Sequence, residues 1–261
     1  MGRGFGVAAA VDNAVIREVA AAAEERGYSS FWVNDTSGAD GLDALAAAAE
    51  VTNNIKLGVG VISVDRRSPD SIAEDVERLE LPQERLWLGI GSGVPKGALA
   101  RVHAGVDALH AALDAQVIVA ALGPKMCDLA GTTADGVLFN WLLPDYAVHS
   151  CELVETAAER AGRPRPLIMG YVRAGLLPQA RERIETEAGR YSDNPNYARH
   201  FERQGIDAVD TVVAERERGA IQARLTPYES ALNETIVRAL TPDDSAPTIL
   251  TLLDAAAPPR S

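Results

Sequence analysis

Along this chain, short apolar runs alternate with helix-like runs eight times, and polar or glycine-rich residues gather directly after the apolar runs. The apolar runs fall at Gly4–Ala10, Ser29–Asn34, Ile55–Val61, Arg85–Ile90, Gln116–Ala121, Gly136–Trp141, Leu167–Ala174 and Thr235–Leu240. Several of them show no polar alternation, as expected of strands buried on both faces. An alternating β/α chain builds a mostly parallel sheet covered by helices. Eight such units in 261 residues fit a closed α/β architecture, the (β/α)8 TIM barrel of roughly 250 residues. A barrel of this kind carries its chemistry at the C-terminal ends of its strands, so function is read from the residues just after each run.

The helices between the runs have local punctuation. Asp12 or Asn13 caps the first, Val15, Val19 and Ala22 share one of its faces, and Gly27 ends it. Others are expected at Leu42–Val51, Ser68–Leu79, Gly97–Leu113, just after Pro124, at Asp145–Ala161 and at Ser245–Ala256. Between the seventh and eighth strands lies a long segment, 178–233, in which Arg181–Arg190, Tyr197–Gln204 and Val209–Glu217 look helical. It reads as a helical insertion within one domain spanning 1–261. The tail Ala255–Ser261 contains two prolines and is expected to fray.

Composition narrows the function classes. A net charge of −12 with no basic cluster argues against nucleic acid. No apolar run approaches the ~20 residues of a membrane helix. The opening Met1-Gly-Arg-Gly-Phe-Gly-Val7 lacks an export pattern, so a cytoplasmic location is expected. Cys127 and Cys151 lack Cys or His neighbours at zinc spacing and fit free thiols in a reducing compartment. His103 and His110 lie too far apart along one helix for a two-ligand metal site, and His149 and His200 stand alone, as packed or surface histidines.

The third and fourth units are more specific. Asn54-Ile-Lys-Leu-Gly-Val-Gly-Val61, Arg67-Ser-Pro69, Ile72-Ala73 and Arg85-Leu-Trp-Leu-Gly-Ile-Gly-Ser-Gly93 come one after another in order. Val119-Ala-Ala-Leu-Gly-Pro-Lys-Met126 and Ala134-Asp-Gly-Val-Leu-Phe-Asn-Trp141 continue the series. Together they resemble the luciferase-like monooxygenase superfamily, across strands one to six and more weakly strand eight. The Ala-Ala-Leu-Gly-Pro and Asn-Trp-Leu segments are similar to the branch that uses the deazaflavin F420; the other large branch uses FMN. The resemblance implies a cofactor across the C-terminal mouth, which carries the hydride while the protein positions it. It also implies dimers packed through early helices, so a homodimer is expected.

Each segment has a cofactor reading beside a plain one. At Gly60-Val61 the family places a cis peptide and a bulge that props a flavin-like ring; a glycine there otherwise only eases strand curvature. Ala121-Leu-Gly-Pro124, with Lys125 after it, opens a helix whose free N–H groups suit a cofactor phosphate, or is an ordinary βα turn. Gly91-Ser-Gly93 can cradle the cofactor tail through N–H groups; it has neither P-loop nor nucleophile-elbow spacing. Val94-Pro95 stands where some members carry an acidic proton donor, which argues against a sugar-phosphate-dehydrogenase mechanism.

After strand two stands Asn34-Asp35-Thr36. F420 dehydrogenases of the family have Asp-His here, so Asp35 matches and Thr36 departs. Asp35 and Thr36 are the catalytic candidates, and a helix or turn cap is the plainer role of such residues. Asn140 has the donor and acceptor for a pyrimidine-like edge, and Trp141 either walls the pocket or packs in the barrel-to-helix layer. Arg238, inside the last strand, pairs either with an anionic tail or with a carboxylate of the fold. The expected activity is hydride transfer between F420 and a small organic substrate. The alternatives are an FMN-dependent monooxygenase and a non-catalytic flavin- or F420-binding partner subunit. Specificity would sit in the loops after strands four and seven and in the insertion.

Overall fold

A computed structural model describes residues 1–259. Eight parallel strands close into a barrel: β1 (Gly2–Ala8), β2 (Ser30–Asn34), β3 (Lys56–Ser63), β4 (Leu86–Gly91), β5 (Gln116–Ala120), β6 (Gly136–Asn140), β7 (Leu167–Leu176) and β9 (Glu234–Ala239). Consecutive strands pair from β1 to β6, β6 pairs with β7, and β9 lies between β7 and β1 and completes the ring. A short ninth strand, β8 (Val213–Glu215), adds to the outer end of β7. Every expected apolar run lies on a barrel strand, with ends shifted by two residues or fewer.

Among the described residues, ten helices accompany the strands: α1 (Asn13–Glu25), α2 (Gly41–Ala49), α3 (Pro69–Arg78), α4 (Ala98–Ala112), α5 (Pro124–Thr133), α6 (Pro144–Arg160), α7 (Arg181–Ser192), α8 (Pro195–Gln204), α9 (Arg218–Ala231) and α10 (Ala246–Ala256). Their starts reflect capping chemistry. The carboxylate of Asp12 accepts from the Ala14 N–H at 2.8 Å, that of Asp40 from Leu42 at 2.8 Å, and the Ser68 hydroxyl from Ser71 at 3.2 Å. No helix among the described residues is long and apolar enough to cross a membrane.

Two cores result. Phe5, Phe31, Val33, Leu57 and Leu88 point outward from the strands and meet the helices. Trp32, Trp87, Ile118, Leu138, Met169, Tyr171 and Ile236 point inward and fill the barrel. Trp32 fits because Gly58 faces it: a Cβ there would lie 2.3 Å from the indole ring. Here a large inward residue is matched to a small one on the neighbouring strand.

Below the plug, buried Glu234 accepts from the Ser29 hydroxyl at 2.6 Å and from Ser30. Arg3 pairs with Glu229 at 2.6 Å and donates to the Ala256 carbonyl at 2.8 Å. Gln222 holds the Ala255 and Ala257 carbonyls at 2.8 and 3.0 Å. The fraying expected from Ala255 onward is therefore wrong for 255–257, which are anchored; Arg260 and Ser261 lie outside the described residues.

The segment between β7 and β9 differs from its sequence reading in two places. Val209–Glu217 is not a helix. A 3-10 turn at Ala208–Thr211 gives way to β8, because the branched Val212 and Val213 continue in extended form and pair beside Ala174–Leu176. The next helix, α9, packs on α6 and α10 as the barrel's own covering helix. Pro227 inside α9 lacks a backbone donor, and it hides the helix from pattern reading.

Candidate functional site

At the C-terminal ends of the strands a cavity of about 1210 Å³ opens between the barrel, the β4–α4 loop and helices α7 and α8. Its floor is the uppermost inward layer, and that layer is lopsided. β3, β4 and β5 contribute Gly60, Gly91 and Ala120, which leave a flat shelf; β6, β7, β9 and β2 contribute Asn140, Tyr171, Arg238 and Asn34. A planar group can lie on the shelf and meet polar atoms along one side.

The shelf is a bulge in β3. The register against β4 slips between Val59 and Ile62, and the Gly60–Val61 peptide is cis. Asn34 holds it by donating from Nδ2 to the Gly60 carbonyl at 2.6 Å. Arg238 in turn donates from Nε to Oδ1 of Asn34 and from Nη1 to the Ala239 carbonyl. A Cβ at Gly60 would fall 2.3 Å from the Tyr171 hydroxyl and 2.9 Å from Leu138.

Asp35 and Thr36 both line the cavity. Asp35 accepts from the Gly41 N–H at 3.1 Å and pairs with Arg66, so it also supports the start of α2. Burial pushes its carboxyl above the usual aspartate range, against the opposing pull of Gly41 and Arg66. Thr36 bridges to Ala39 through the backbone.

Gly91, Ser92 and Gly93 form the rim beside β4. Arg101 ties this loop down by donating to the Ser92 carbonyl at 2.9 Å and the Val94 carbonyl at 3.2 Å. Ala121, Leu122, Gly123 and Pro124 line the opposite rim, with Gly123 at the N-cap of α5 and Pro124 opening the helix. Such a helix start suits a phosphate.

Trp141 is the exception among the expected site residues. It is 1 % exposed and does not reach the cavity. β6 ends at Asn140, and Trp141 follows it in a left-handed backbone conformation, φ 56°, with its side chain outside the barrel. There it packs beneath α7 and α8, against Tyr191 and Phe201. The plainer, packed reading of this tryptophan is the one observed.

Several groups here escaped sequence reasoning. Arg173 of β7 donates to Glu187 of α7 at 2.7 Å and to Asn140 Oδ1 at 2.6 Å, and its guanidinium lies 3.6 Å from the Trp141 ring centroid. Burial acts to raise the Glu187 pKa, but the Arg173 and Arg238 guanidiniums outweigh it and hold the carboxyl below the usual glutamate range. Helix α8 is stapled to both neighbouring strand ends. His200 Nδ1 lies 3.0 Å from the Leu122 carbonyl and Nε2 2.8 Å from that of Trp141, while Arg203 donates to Leu122 at 2.6 Å. Burial lowers the His200 pKa, with the carbonyls opposing. Tyr171 and Arg173 had a signal, two polar residues in step within an apolar strand; His200 and Glu187 had none.

Away from the mouth, burial pushes the thiols of Cys127 and Cys151 up to about 12 and about 11. They are unreactive packing groups. No cluster of metal ligands occurs among the described residues.

Residues 4–114 match the family model of the luciferase-like monooxygenases. The match takes in less than half of the chain, and over that stretch the chain is similar to this family. The sequence is 27 % identical over 184 residues to a 5,10-methylenetetrahydromethanopterin reductase of Methanolobus tindarius. That stretch covers 57 % of this chain and 56 % of the reductase, so the match spans only about half of that relative. Solved structures share the barrel fold over nearly the whole chain. A coenzyme F420 dependent tetrahydromethanopterin reductase from Methanopyrus kandleri superposes with a TM-score of 0.76 at 17 % identity, covering 95 % of this chain and 96 % of that one. The oxygenating constituent of 3,6-diketocamphane monooxygenase from Pseudomonas putida, in complex with FMN, gives 0.66 at 13 % identity, covering 99 % of each. At these identities the structures establish the common fold.

Proposed function

We propose that this protein is an F420-dependent oxidoreductase acting on a small organic substrate. The observation that carries the reading is the charge of the cavity. In a chain of net charge −12, the mouth is lined by Lys125, Arg183, Arg190, Arg199, Arg203 and Arg238, against the carboxylates of Asp35 and Glu187. Arg183 is also paired with Asp244 at 2.8 Å. The cations run from α5 along α7 and α8 rather than meeting at one point. That spread suits a cofactor tail carrying several anionic groups better than a single phosphate.

The residues fit the group in kind. The shelf of Gly60, Gly91 and Ala120 admits a planar ring, with Val61 beside it. The α5 start, with Leu122 and Gly123, would hold the phosphate, and Asn140 would meet the ring's polar edge. Bound F420 supplies the hydride carrier. The chain's own part is orientation, exclusion of water by the α7–α8 flank, and a carboxyl, Asp35, that burial moves above the usual aspartate range and that is placed to exchange a proton.

The test is a side-by-side fluorescence titration of the protein with F420 and FMN. Micromolar or tighter binding of F420, with FMN at least about tenfold weaker, is expected. Preference for FMN would replace this reading with oxygenation, and binding of neither would favour a partner subunit. In a turnover assay, Asp35→Asn is expected to lower kcat by about a hundredfold or more with the F420 Kd little changed. An equal loss in Kd would leave Asp35 a structural role only.

A further inference from the structure

We infer that the free edge of Arg238 is an oxyanion-binding site on the cavity floor, selecting a ligand group with delocalised negative charge, such as a carboxylate. The inference concerns the cavity read above as a cofactor site and rests on that reading. It begins from a charge imbalance. Arg173, Arg238 and Glu187 are 4 %, 6 % and 7 % exposed, which places two guanidiniums and one carboxylate together in the interior. Glu187 is engaged by Arg173 Nε, and Arg238 has no carboxylate within ion-pair distance among the described residues. A buried cation without a partner anion is costly, so such a group is retained where something supplies the charge.

The geometry leaves room for that group. Arg238 spends Nε on Asn34 and Nη1 on the Ala239 carbonyl; Nη2 has no acceptor among the described residues, and the side chain lines the cavity. The Asn34 contact fixes the guanidinium plane, since Asn34 is itself held by the Gly60 carbonyl. Tyr171, on the adjacent strand, also lines the cavity; its hydroxyl is buried against Gly60 and has no partner among the described residues. One cationic edge thus faces the cavity with no acceptor of the protein. A flat ligand bearing a negatively charged oxygen at that edge compensates the cation; a neutral one leaves it uncompensated.

Two sources can bring such an oxygen: a substrate carboxylate, or the cofactor ring's own carbonyl edge when it carries charge. Calorimetric titration with benzoate and with benzamide, its neutral isostere, tests the site without a cofactor. The unaltered protein is expected to bind benzoate about tenfold tighter or better. Arg238→Met should erase the preference, Arg238→Lys should keep part of it, and Glu187→Gln should strengthen it by removing the competing carboxylate. Circular dichroism melts identify any variant that fails to fold. Equal binding of the two probes to the unaltered protein, or an unchanged preference in Arg238→Met, overturns the inference. Repeating the titration with F420 saturating assigns the source: retained benzoate binding gives the site to the substrate, competitive loss gives it to the cofactor ring. Because benzoate needs no cofactor, failure of F420 to bind would refute the proposed function and leave this site standing.

Discussion

Replacing Gly89 with alanine is expected to lower stability by about 3 kcal/mol or more, the upper range for forced overpacking. For a chain of this size that is a fall in Tm of roughly 6–12 °C. Gly89 sits on β4 opposite the β3 bulge, where the slipped register turns the Val59 carbonyl toward the neighbouring strand. A Cβ there would lie 2.1 Å from that oxygen and 3.1 Å from Val61. The obstacle is backbone, so no side-chain rotation relieves it. Gly219→Ala, early in α9 with open space around it, is the control. It is expected to leave Tm unchanged or raise it slightly, since alanine favours a helix over glycine by about 1 kcal/mol. Thermal melts of the two variants give the comparison, and equal Tm values would show that the bulge can slide off Gly89.

Glu187→Ala is expected to cost about 3–5 kcal/mol, the range for breaking a buried pair by deleting one partner. Arg173 and Arg238 would then share the interior with no carboxylate near them. Glu187→Gln, which keeps the volume and an acceptor, should lose less. The same pair sets a pH dependence. The folded-state pKa of Glu187 lies below its unfolded value, so its contribution is fully present above the unfolded value of about 4.3. It is lost as pH falls below that and through the folded-state value. Urea melts from pH 7 down to pH 3.5 should show a smaller acid loss for Glu187→Gln than for the unaltered protein. Parallel losses would mean the pair is not what acid disrupts first.

The barrel was legible because burial on both faces forces strands to read as unbroken apolar runs, and because Asp12, Asp40 and Ser68 punctuate their helices by their own short-range chemistry. The rims were legible for a related reason. In a barrel, the residues just after each strand lie at the mouth, so Asp35, Gly91–Gly93 and Ala121–Pro124 were placed by topology alone. Long-range pairing was not. Glu187 meets Arg173 across a strand-to-helix crossover, and His200 reaches Leu122 and Trp141 from a separate helix; no local pattern encodes either meeting. Trp141 could not be placed because the chain leaves β6 there in a left-handed turn that no local pattern announces. β8 was too short to show a period, and Pro227 interrupted that of α9.

The placement of charge has a kinetic meaning. Seen from a distance the molecule is an anion, −12 overall; seen from within its mouth it is a cation. At physiological salt the screening length is about 8 Å, shorter than the span of a barrel. An approaching anion then no longer feels the distant carboxylates but still feels the guanidiniums once it enters. Dilute salt extends the reach of the outer shell, and concentrated salt silences both. An anionic ligand of the kind proposed above is therefore expected to enter best in an intermediate electrolyte, where the entrance is quiet and the interior is not.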